Sequence, residues 1–396
     1  MVVLSNCDGC AIARSDEAKS LGIAMGEPFF QFKQLVKKHG IYVLSSNYAL
    51  YGDMSSRVID IIIQTMPEVL VYSIDEAFLD LTSLEKNFDI VKACQDLVHK
   101  IAKKTGIPVS IGIGATKTIS KVASHVVKQN KALIKVCYLK EEAALNLVLS
   151  KMKVSNIWGV RKRSEIKLNE LGIFSGLELK QIPDHILRKY FTIVLARTVT
   201  ELKGKSVIEV RDLDVAKKQI MVSRSFTQKI TAYKEVSGAL ANHVTCAAEK
   251  LRAQQSLVTG MIIFLQTNQF SSIDAKYKNS CYVPLVTPSN NTCILLCQAK
   301  HGLASIFRKD FFYKKVGVIL TGLINIKHEQ LDMFECNNIE HSSLLMNTID
   351  TINLTMGKST IKFASQGLGN ARKIKAHYKT PAYTTSWEQL PIAYAK

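Results

Sequence analysis

The feature that most constrains the fold is a pair of adjacent carboxylates, Asp75 and Glu76, set between two apolar runs. The stretch from Tyr72 to Leu81 reads YSIDEAFLDL, which predicts a strand, a tight turn and a return strand with flanks buried in a sheet. Two neighbouring anions are costly there unless a cation compensates them, because burial disfavours the charged form. Mg²⁺ accepts carboxylate oxygens and keeps positions open for substrate phosphates, so the pair predicts a metal site. An ordinary polar hairpin turn is the alternative.

The net charge of +19 is distributed unevenly along the chain. Residues 46–89 hold eight Asp or Glu against two Lys or Arg, whereas residues 97–140 carry nine lysines and no acid. Basic residues outnumber acidic ones by twelve to five over 151–205 and by fifteen to four over 216–328. Basic surfaces around one acidic block suit a polyanion held near a metal-binding centre. A merely soluble cationic protein is the competing interpretation.

Length and cysteine content indicate a multidomain cytoplasmic protein. The 396 residues exceed one comfortable core, so several domains are expected. No apolar run approaches the roughly 18 to 20 residues of a membrane span, and the N-terminus lacks the features of a signal peptide. The nine cysteines are odd in number and scattered, which argues against a disulfide framework. Cys7–Cys10 and Cys293–Cys297 have ligand-like spacing, but buried thiols are the preferred interpretation.

The predicted secondary structure alternates helices and strands. Residues 46–150 alternate in a way that indicates an α/β layer, with a strand pair over Val69–Leu81 and a helix from Thr116 to Val127. Residues 151–205 read as helical and basic, and residues 217–328 again mix strands with helices.

Two motifs connect these patterns to a known family. The segments SIDEAFLDLT (73–82) and SIGIGATKTISKVASHVVK (110–128) resemble the palm signature of Y-family DNA polymerases. Four further segments, at 2–31, 45–58, 158–163 and 223–231, resemble the catalytic subunit of bacterial DNA polymerase V, the UmuC type. The resemblance implies an α/β multidomain fold with a ferredoxin-like palm, fingers, a helical thumb containing a helix-hairpin-helix, and an α/β little finger. The implied divisions are fingers at 1–45, palm at 46–150, thumb at 151–205, a linker at 206–216, little finger at 217–328, a linker with a clamp-binding-like peptide at 329–350, and a basic C-terminal segment at 351–396.

The resemblance also implies a reaction and its partners. It implies error-prone translesion DNA synthesis in DNA repair and the SOS response, by nucleotidyl transfer with two Mg²⁺ ions. Asp75 would bridge both ions, and Glu76 would serve the ion that activates the primer 3′-hydroxyl. Lys19, Lys121 and Lys128 would meet the incoming deoxynucleoside triphosphate. The implied partners are primer-template DNA, including damaged DNA, and the sliding clamp. UmuD-type subunits and a RecA filament follow from the resemblance alone.

Candidate DNA and clamp contacts follow from the same resemblance. A helix-hairpin-helix turn binds phosphate through backbone N–H groups, and a little-finger strand follows the DNA backbone. Arg161 stands where relatives commonly have glycine, and Asp16 where many have tyrosine. The DNA-binding candidates are Gly159, Arg161, Lys162, Arg163, Ser223, Arg224 and Ser225, and the clamp-binding candidates are Gln330, Leu331, Met333 and Phe334.

One part of the family pattern has no counterpart in this sequence. Relatives open with a strand that carries an Asp, followed by an aromatic gate that excludes ribonucleotides, whereas the resemblance here starts at Val2. Asp8 lies in a different motif and is not its substitute. Without that strand, unpaired edges are expected in the palm sheet. Two hypotheses remain open: an upstream start or split gene giving an active polymerase, and a DNA- and clamp-binding remnant with little catalysis. A nucleotide cyclase with a similar palm would leave the basic C-terminal half unexplained.

Overall fold

The computed structural model describes residues 1–85, 88–129, 135–208, 216–271, 274–328, 339–367 and 376–394. The chain forms two compact units: Met1–Ser46 with Ala216–Lys379, and Asn47–Val215 with Thr380–Lys396. We call them unit 1 and unit 2.

The elements are numbered in chain order. The strands are β1 (Val2–Leu4), β2 (Ala11–Arg14), β3 (Val43–Ser45), β4 (Glu68–Val71), β5 (Ala77–Asp80), β6 (Ile111–Gly114), β7 (Val136–Leu139), β8 (Ile220–Ile230), β9 (Ser256–Thr267), β10 (Lys278–Ser289) and β11 (Tyr313–Asn325). The helices are α1 (Asp16–Ser20), α2 (Phe29–His39), α3 (Tyr48–Ile63), α4 (Ile90–Thr105), α5 (Lys117–Gln129), α6 (Glu142–Lys151), α7 (Lys162–Glu170), α8 (Gly176–Gln181), α9 (Asp184–Tyr190), α10 (Ile193–Leu202), α11 (Tyr233–Ala253), α12 (Thr292–Ile306) and α13 (Ile339–Thr355).

The N-terminal part of unit 1 is a small sheet in the order β2-β1-β3. β1 pairs antiparallel with β2 and parallel with β3. Val2, Leu4 and Phe32 are buried in its core. The chain turns at Asp8-Gly9 and returns as β2, and α1 follows it. Asp8 adopts a positive φ of 53° in that turn, a conformation that Asp tolerates better than most residues.

A four-stranded antiparallel sheet forms the larger part of unit 1, in the order β10-β9-β11-β8. Helices α11 and α12 pack against it and bury apolar residues at helical spacing, among them Leu240, Val244 and Leu251. Two elements of residues 216–355 were absent from the sequence prediction. Strand β10 is one, and the other is α13, which begins at Ile339 inside the predicted linker.

Unit 2 contains two separate pairs of strands. β4 and β5 form an antiparallel hairpin, and β6 and β7 pair in parallel. The helix α4 begins where Asp89 caps the amides of Val91 and Lys92, and it ends at Gly106 in the left-handed conformation. Its residues Leu97 and Ile101 are buried with Ile61 of α3. The segment predicted to be helical over 151–205 contains α7 to α10.

The cysteines only partly follow the prediction of buried thiols. All eight that the structure describes are free, and Cys94 is buried. Cys7, Cys293 and Cys297 are exposed, so the prediction is wrong for them, because each lies in a turn or on the solvent side of a helix. Over the described ranges, no helix is long and apolar enough to cross a membrane.

His243 of α11 is an uncompensated polar group in unit 1. Its Nε2 atom is buried and has no hydrogen-bond partner in the described part of the chain. Burial, with a smaller contribution from the positive charge of Arg224, lowers the pKa of His243 to about 4. The folded protein therefore holds this ring neutral at pH values where an unfolded chain protonates it.

We predict that His243 makes unit 1 less stable in acid. The folded pKa lies below the unfolded value, so this stability is fully present above the unfolded pKa of about 6.5 and is lost as pH falls toward 4, by up to about 3 kcal/mol. Urea unfolding of wild type and His243→Leu between pH 7 and 4 measures the difference. His301→Leu, at an exposed position, is the control. Equal pH dependence in the wild-type and His243→Leu proteins would contradict the prediction.

Candidate active site

The loop between β4 and β5 presents the carboxylate pair. The amides of Tyr72 and Ser73 both donate to the carbonyl of Glu76, each at 3.0 Å, which closes the hairpin. The hydroxyl of Ser55 on α3 donates to the carbonyl of Ile74 and fixes the loop from outside. The strand pair predicted over Val69–Leu81 is therefore present as β4 and β5, but β4 ends at Val71, so Tyr72 begins the connecting loop and not a strand.

The two carboxylates have different surroundings. Asp75 is exposed, and its Oδ1 atom accepts a hydrogen bond of 2.6 Å from the hydroxyl of Ser73. Glu76 is half-buried. The expectation of a buried anion pair is wrong for Asp75, because the turn directs this residue into solvent, where water screens its charge.

A lysine from α5 compensates the charge of Glu76. The Nζ atom of Lys121 lies 2.6 Å from Oε2 of Glu76, with side-chain exposures of 16% and 35% respectively. The same ammonium lies within 6 Å of three ring centroids, at 5.3 Å for Tyr72, 5.2 Å for Phe78 and 5.9 Å for Trp158. An ammonium over aromatic faces is stabilised by the ring quadrupoles. Lys121 was predicted to bind nucleotide; its contacts here are with Glu76 and the aromatic group.

A cavity of about 1580 Å³ lies in unit 2 and has the carboxylates on its wall. Its wall includes all of β5 and β6, and among the described residues each of these strands pairs with a single neighbour. Lys121 and Lys128 line the same cavity as Asp75 and Glu76. The unpaired edges expected in this layer are therefore present.

The donor set suits a hard cation in part. Asp75 and Glu76 offer carboxylate oxygens, the ligands that Mg²⁺ prefers. Asp80 lies further along β5, where hydrogen bonds from the hydroxyl and amide of Thr82 lower its pKa. Among the described residues, no three or more His, Cys, Asp or Glu side chains are grouped so that they could hold a metal.

Lys19 belongs to unit 1 and is not among the residues that line the cavity. Its ammonium pairs with Asp16 at 3.0 Å, and both side chains are more than half exposed. Asp16, which stands at a position where a tyrosine was expected, therefore neutralises the neighbouring lysine.

The candidate DNA-binding residues occupy two exposed sites. Arg161, Lys162 and Arg163 are exposed at the N-terminus of α7, directly after Gly159. Gly159 has a φ of +92°, and a Cβ there would lie 2.7 Å from Oγ1 of Thr198, so only glycine fits without a shift. Arg161 adopts an extended φ of −104°, which any residue accepts.

The second site is β8, an edge strand of the four-stranded sheet. Arg224 and Ser225 are exposed on it, and Ser223 is half-buried. The clamp-binding candidates Gln330, Leu331, Met333 and Phe334 lie outside the described residues.

Sequence reasoning missed the aromatic group around Lys121 and the role of Ser73. Tyr72 and Phe78 flank the carboxylates along the hairpin, but Trp158 comes from a distant segment. A sequence pattern within one element does not show which distant residue completes such a group.

Comparison with known proteins identifies the family. A model of the impB/mucB/samB family matches residues 1–125, a model of its C-terminal domain matches 217–333, and a domain of unknown function matches 343–393. The protein UmuC of Salmonella typhimurium strain LT2 is 37% identical over 98% of this chain and 93% of its own length. DNA polymerase IV of Ureaplasma parvum is 26% identical over 80% of this chain and 86% of its own length.

The fold agrees with that of a solved polymerase. A Y-family DNA polymerase chimera superposes with a TM-score of 0.60 at 16% identity, over 82% of this chain and 92% of the chimera. The structure is thus an α/β polymerase fold. The chain belongs to the impB/mucB/samB family, the UmuC-type Y-family DNA polymerases.

We predict that Lys121 stabilises unit 2 through Glu76. Lys121→Met keeps the apolar stem but removes the ammonium, which leaves the half-buried Glu76 without its cation. The expected loss is about 1 to 2 kcal/mol in the free energy of unfolding, measured with urea. Lys128→Met, at an exposed position on the same helix, is expected to change it by less than about 0.5 kcal/mol.

A double variant tests whether the loss acts through the pair. Lys121→Met combined with Glu76→Gln should cost less than the sum of the two single changes, because neither partner is left charged and alone. Additive costs would show that the two side chains are not coupled.

Proposed function

We propose that this chain carries out template-directed nucleotidyl transfer past damaged bases, as a translesion DNA polymerase. The observation that supports this most directly is the exposed hairpin carboxylate Asp75 beside Glu76, in a cavity also lined by Lys121 and Lys128. Carboxylates next to lysines can hold the two reactants of phosphoryl transfer, a metal-bound triphosphate and a primer end.

Asp75 and Glu76 are proposed to hold two Mg²⁺ ions. When bound, such ions activate an attacking hydroxyl and stabilise a leaving phosphate oxygen. Asp75 is available for this role because it is exposed, and Ser73 holds its carboxylate at a fixed orientation. Glu76 becomes available when Lys121 releases it. The freed ammonium of Lys121, together with Lys128, is proposed to bind the triphosphate. For Lys19 the same role is proposed from the family resemblance alone.

DNA is proposed to contact the two exposed basic sites. At the N-terminus of α7, within the described residues, no side chain caps the first backbone N–H groups, and three exposed cations lie beside them. Cations at a helix N-terminus oppose the helix dipole and are unfavourable there by themselves. A bound phosphate would compensate both the cations and the N–H groups. The edge strand β8 offers Arg224 and two serine hydroxyls, which suit backbone contacts that do not depend on base sequence. Damaged bases are tolerated by contacts of this kind. The residues of the proposed clamp peptide, Gln330 to Phe334, follow from the family resemblance.

A second candidate function is DNA binding without efficient catalysis. The observation that favours it is the ion pair at 2.6 Å, which occupies Glu76 with a lysine. It lies in a layer where, within the described part of the chain, β5 and β6 each pair with one strand. Such a protein would bind primer-template DNA and the sliding clamp but transfer nucleotides poorly.

Primer extension on an abasic template with Mg²⁺ distinguishes the two functions. For a polymerase we expect incorporation by the wild-type chain and a loss of about 100-fold or more in Asp75→Asn, equivalent to roughly 3 kcal/mol of transition-state stabilisation. Asp96→Asn, an exposed acid on α4, should retain the wild-type rate. DNA binding without incorporation would favour the second candidate. Incorporation that survives Asp75→Asn would refute the metal-site assignment.

The proposed DNA surface makes a separate prediction about salt dependence. Replacing Arg161, Lys162 and Arg163 with alanine should lower the slope of log affinity against log salt by up to about 3, since each phosphate contact contributes about 0.9. Fluorescence anisotropy with primer-template DNA measures this slope. Replacing Lys92, Lys103 and Lys104, three exposed lysines of α4, is the charge-matched control. Equal slopes in the two triple variants would place the DNA elsewhere.

A further inference from the structure

The outer edge of β3 carries polar groups that the small N-terminal sheet does not use. The amide of Ser46 donates to the carbonyl of Leu4 on β1, so the preceding amide, that of Ser45, faces the opposite edge. Ser45 is nevertheless only 1% exposed. Something other than the sheet therefore covers this edge.

The outer edge of β3 is covered at Ser45 by a short segment near the C-terminus that contains Tyr378. The amide of Ser45 donates to the carbonyl of Tyr378 at 2.9 Å, and the amide of Tyr378 donates to the hydroxyl of Ser45 at 3.0 Å. Tyr378, which lies in a turn, thus holds Ser45 through both its carbonyl and its amide, the first bonded to the backbone of Ser45 and the second to its hydroxyl.

Asp8 completes the site with both oxygens of its carboxylate. Oδ1 accepts from the hydroxyl of Ser45 at 2.5 Å, and Oδ2 accepts from the amide of His377 at 2.7 Å. The turn that presents Asp8 is closed by hydrogen bonds between Ser5 and Cys10 at 2.8 Å and between Asp8 and Ser5 at 2.9 Å. The receptor is therefore preorganised, which lowers the entropic cost of holding the segment.

An aromatic contact favours an aromatic side chain at Tyr378, the second residue of the bound segment His377–Tyr378. The rings of Phe29 and Tyr378 meet edge to face, with centroids 6.0 Å apart and planes inclined at 76°. Such pairs are favourable beyond the area they bury. The site thus holds a turn in which the amide of His377 is followed by the aromatic ring of Tyr378.

We propose that Asp8, Ser45 and Phe29 form a peptide-binding site whose ligand is the chain's own segment at His377–Tyr378. The site assigns a role to part of the matched domain of unknown function, residues 343–393. It does so through backbone hydrogen bonds of His377 and Tyr378 and through one ring. The proposal is independent of nucleotidyl transfer, so it stands or fails separately from the proposed activity.

Hydrogen exchange of the full-length chain, read at single amides, tests both sides of the contact. In the wild type, the amides of Ser45, His377 and Tyr378 should be protected. In Asp8→Asn the new residue still tolerates a positive φ. Its side chain has only one acceptor oxygen for the two donors, the hydroxyl of Ser45 and the amide of His377. It should raise exchange at His377 at least 10-fold. Asp310→Asn, at another aspartate with positive φ, should leave it unchanged.

A second variant changes the bound segment and not the receptor, and so leaves the residues of the N-terminal sheet unchanged. Tyr378→Pro removes the donor to Ser45 and should raise exchange at the Ser45 amide, whereas Tyr394→Pro at an exposed position should not. A synthetic peptide with the sequence of residues 376–386, added to the Tyr378→Pro chain, should restore protection of Ser45. The same peptide carrying the proline should not restore it.

Three results would overturn the proposal: rapid exchange of His377 and Tyr378 in the wild type, equal exchange in Asp8→Asn and Asp310→Asn, or failure of the wild-type peptide to protect Ser45. Loss of primer extension alone would not bear on it.

Discussion

The contact between Glu76 and Lys121 joins a hairpin to a helix at a place that water only partly reaches. Three aromatic rings surround the ammonium, so the two charges interact in a setting of lower dielectric than the surface. Neither charge can be removed alone without leaving the other half-buried and unpaired. The position of the β4–β5 loop, the packing of Trp158 and the state of Glu76 therefore depend on one another.

The contact between Glu76 and Lys121 shows how the charges of a carboxylate pair can be compensated without a metal. Charge reasoning from the sequence demands a cation near Asp75 and Glu76, and a metal is one way to provide it. The structure meets the demand in two other ways: a lysine neutralises Glu76, and solvent screens the exposed Asp75. A metal bound at the pair would have to compete with Lys121 for Glu76. At Asp75 it would replace only solvent and the hydrogen bond from the hydroxyl of Ser73. The two carboxylates are consequently unequal as ligands.

Local patterns in the sequence predicted the elements whose signals are local. The strand pair over Val69–Leu81 and the helix after Thr116 both follow from periodicity, and both are present. β10 was missed because it begins with polar Lys278, Asn279 and Ser280 and contains Pro284, which lower its resemblance to a strand. It forms because it lies at an edge of the sheet and pairs with β9 over most of its length. Trp158 beside Lys121 was unpredictable for a related reason, since its position depends on tertiary packing between separate segments.

The surroundings of Asp8 give a physical reason for keeping it out of the metal site. Asp8 accepts a serine hydroxyl on one oxygen and a backbone amide on the other, so both oxygens already have donors. A cation would have to displace the hydroxyl of the buried Ser45 and release the amide of His377 from Asp8, and buried polar groups left without partners cost about 1 to 3 kcal/mol each. Asp75 faces no such cost. Motif position and hydrogen bonding thus lead to the same division of roles: Asp75 is available to a ligand from solution, while Asp8 is engaged with the chain itself.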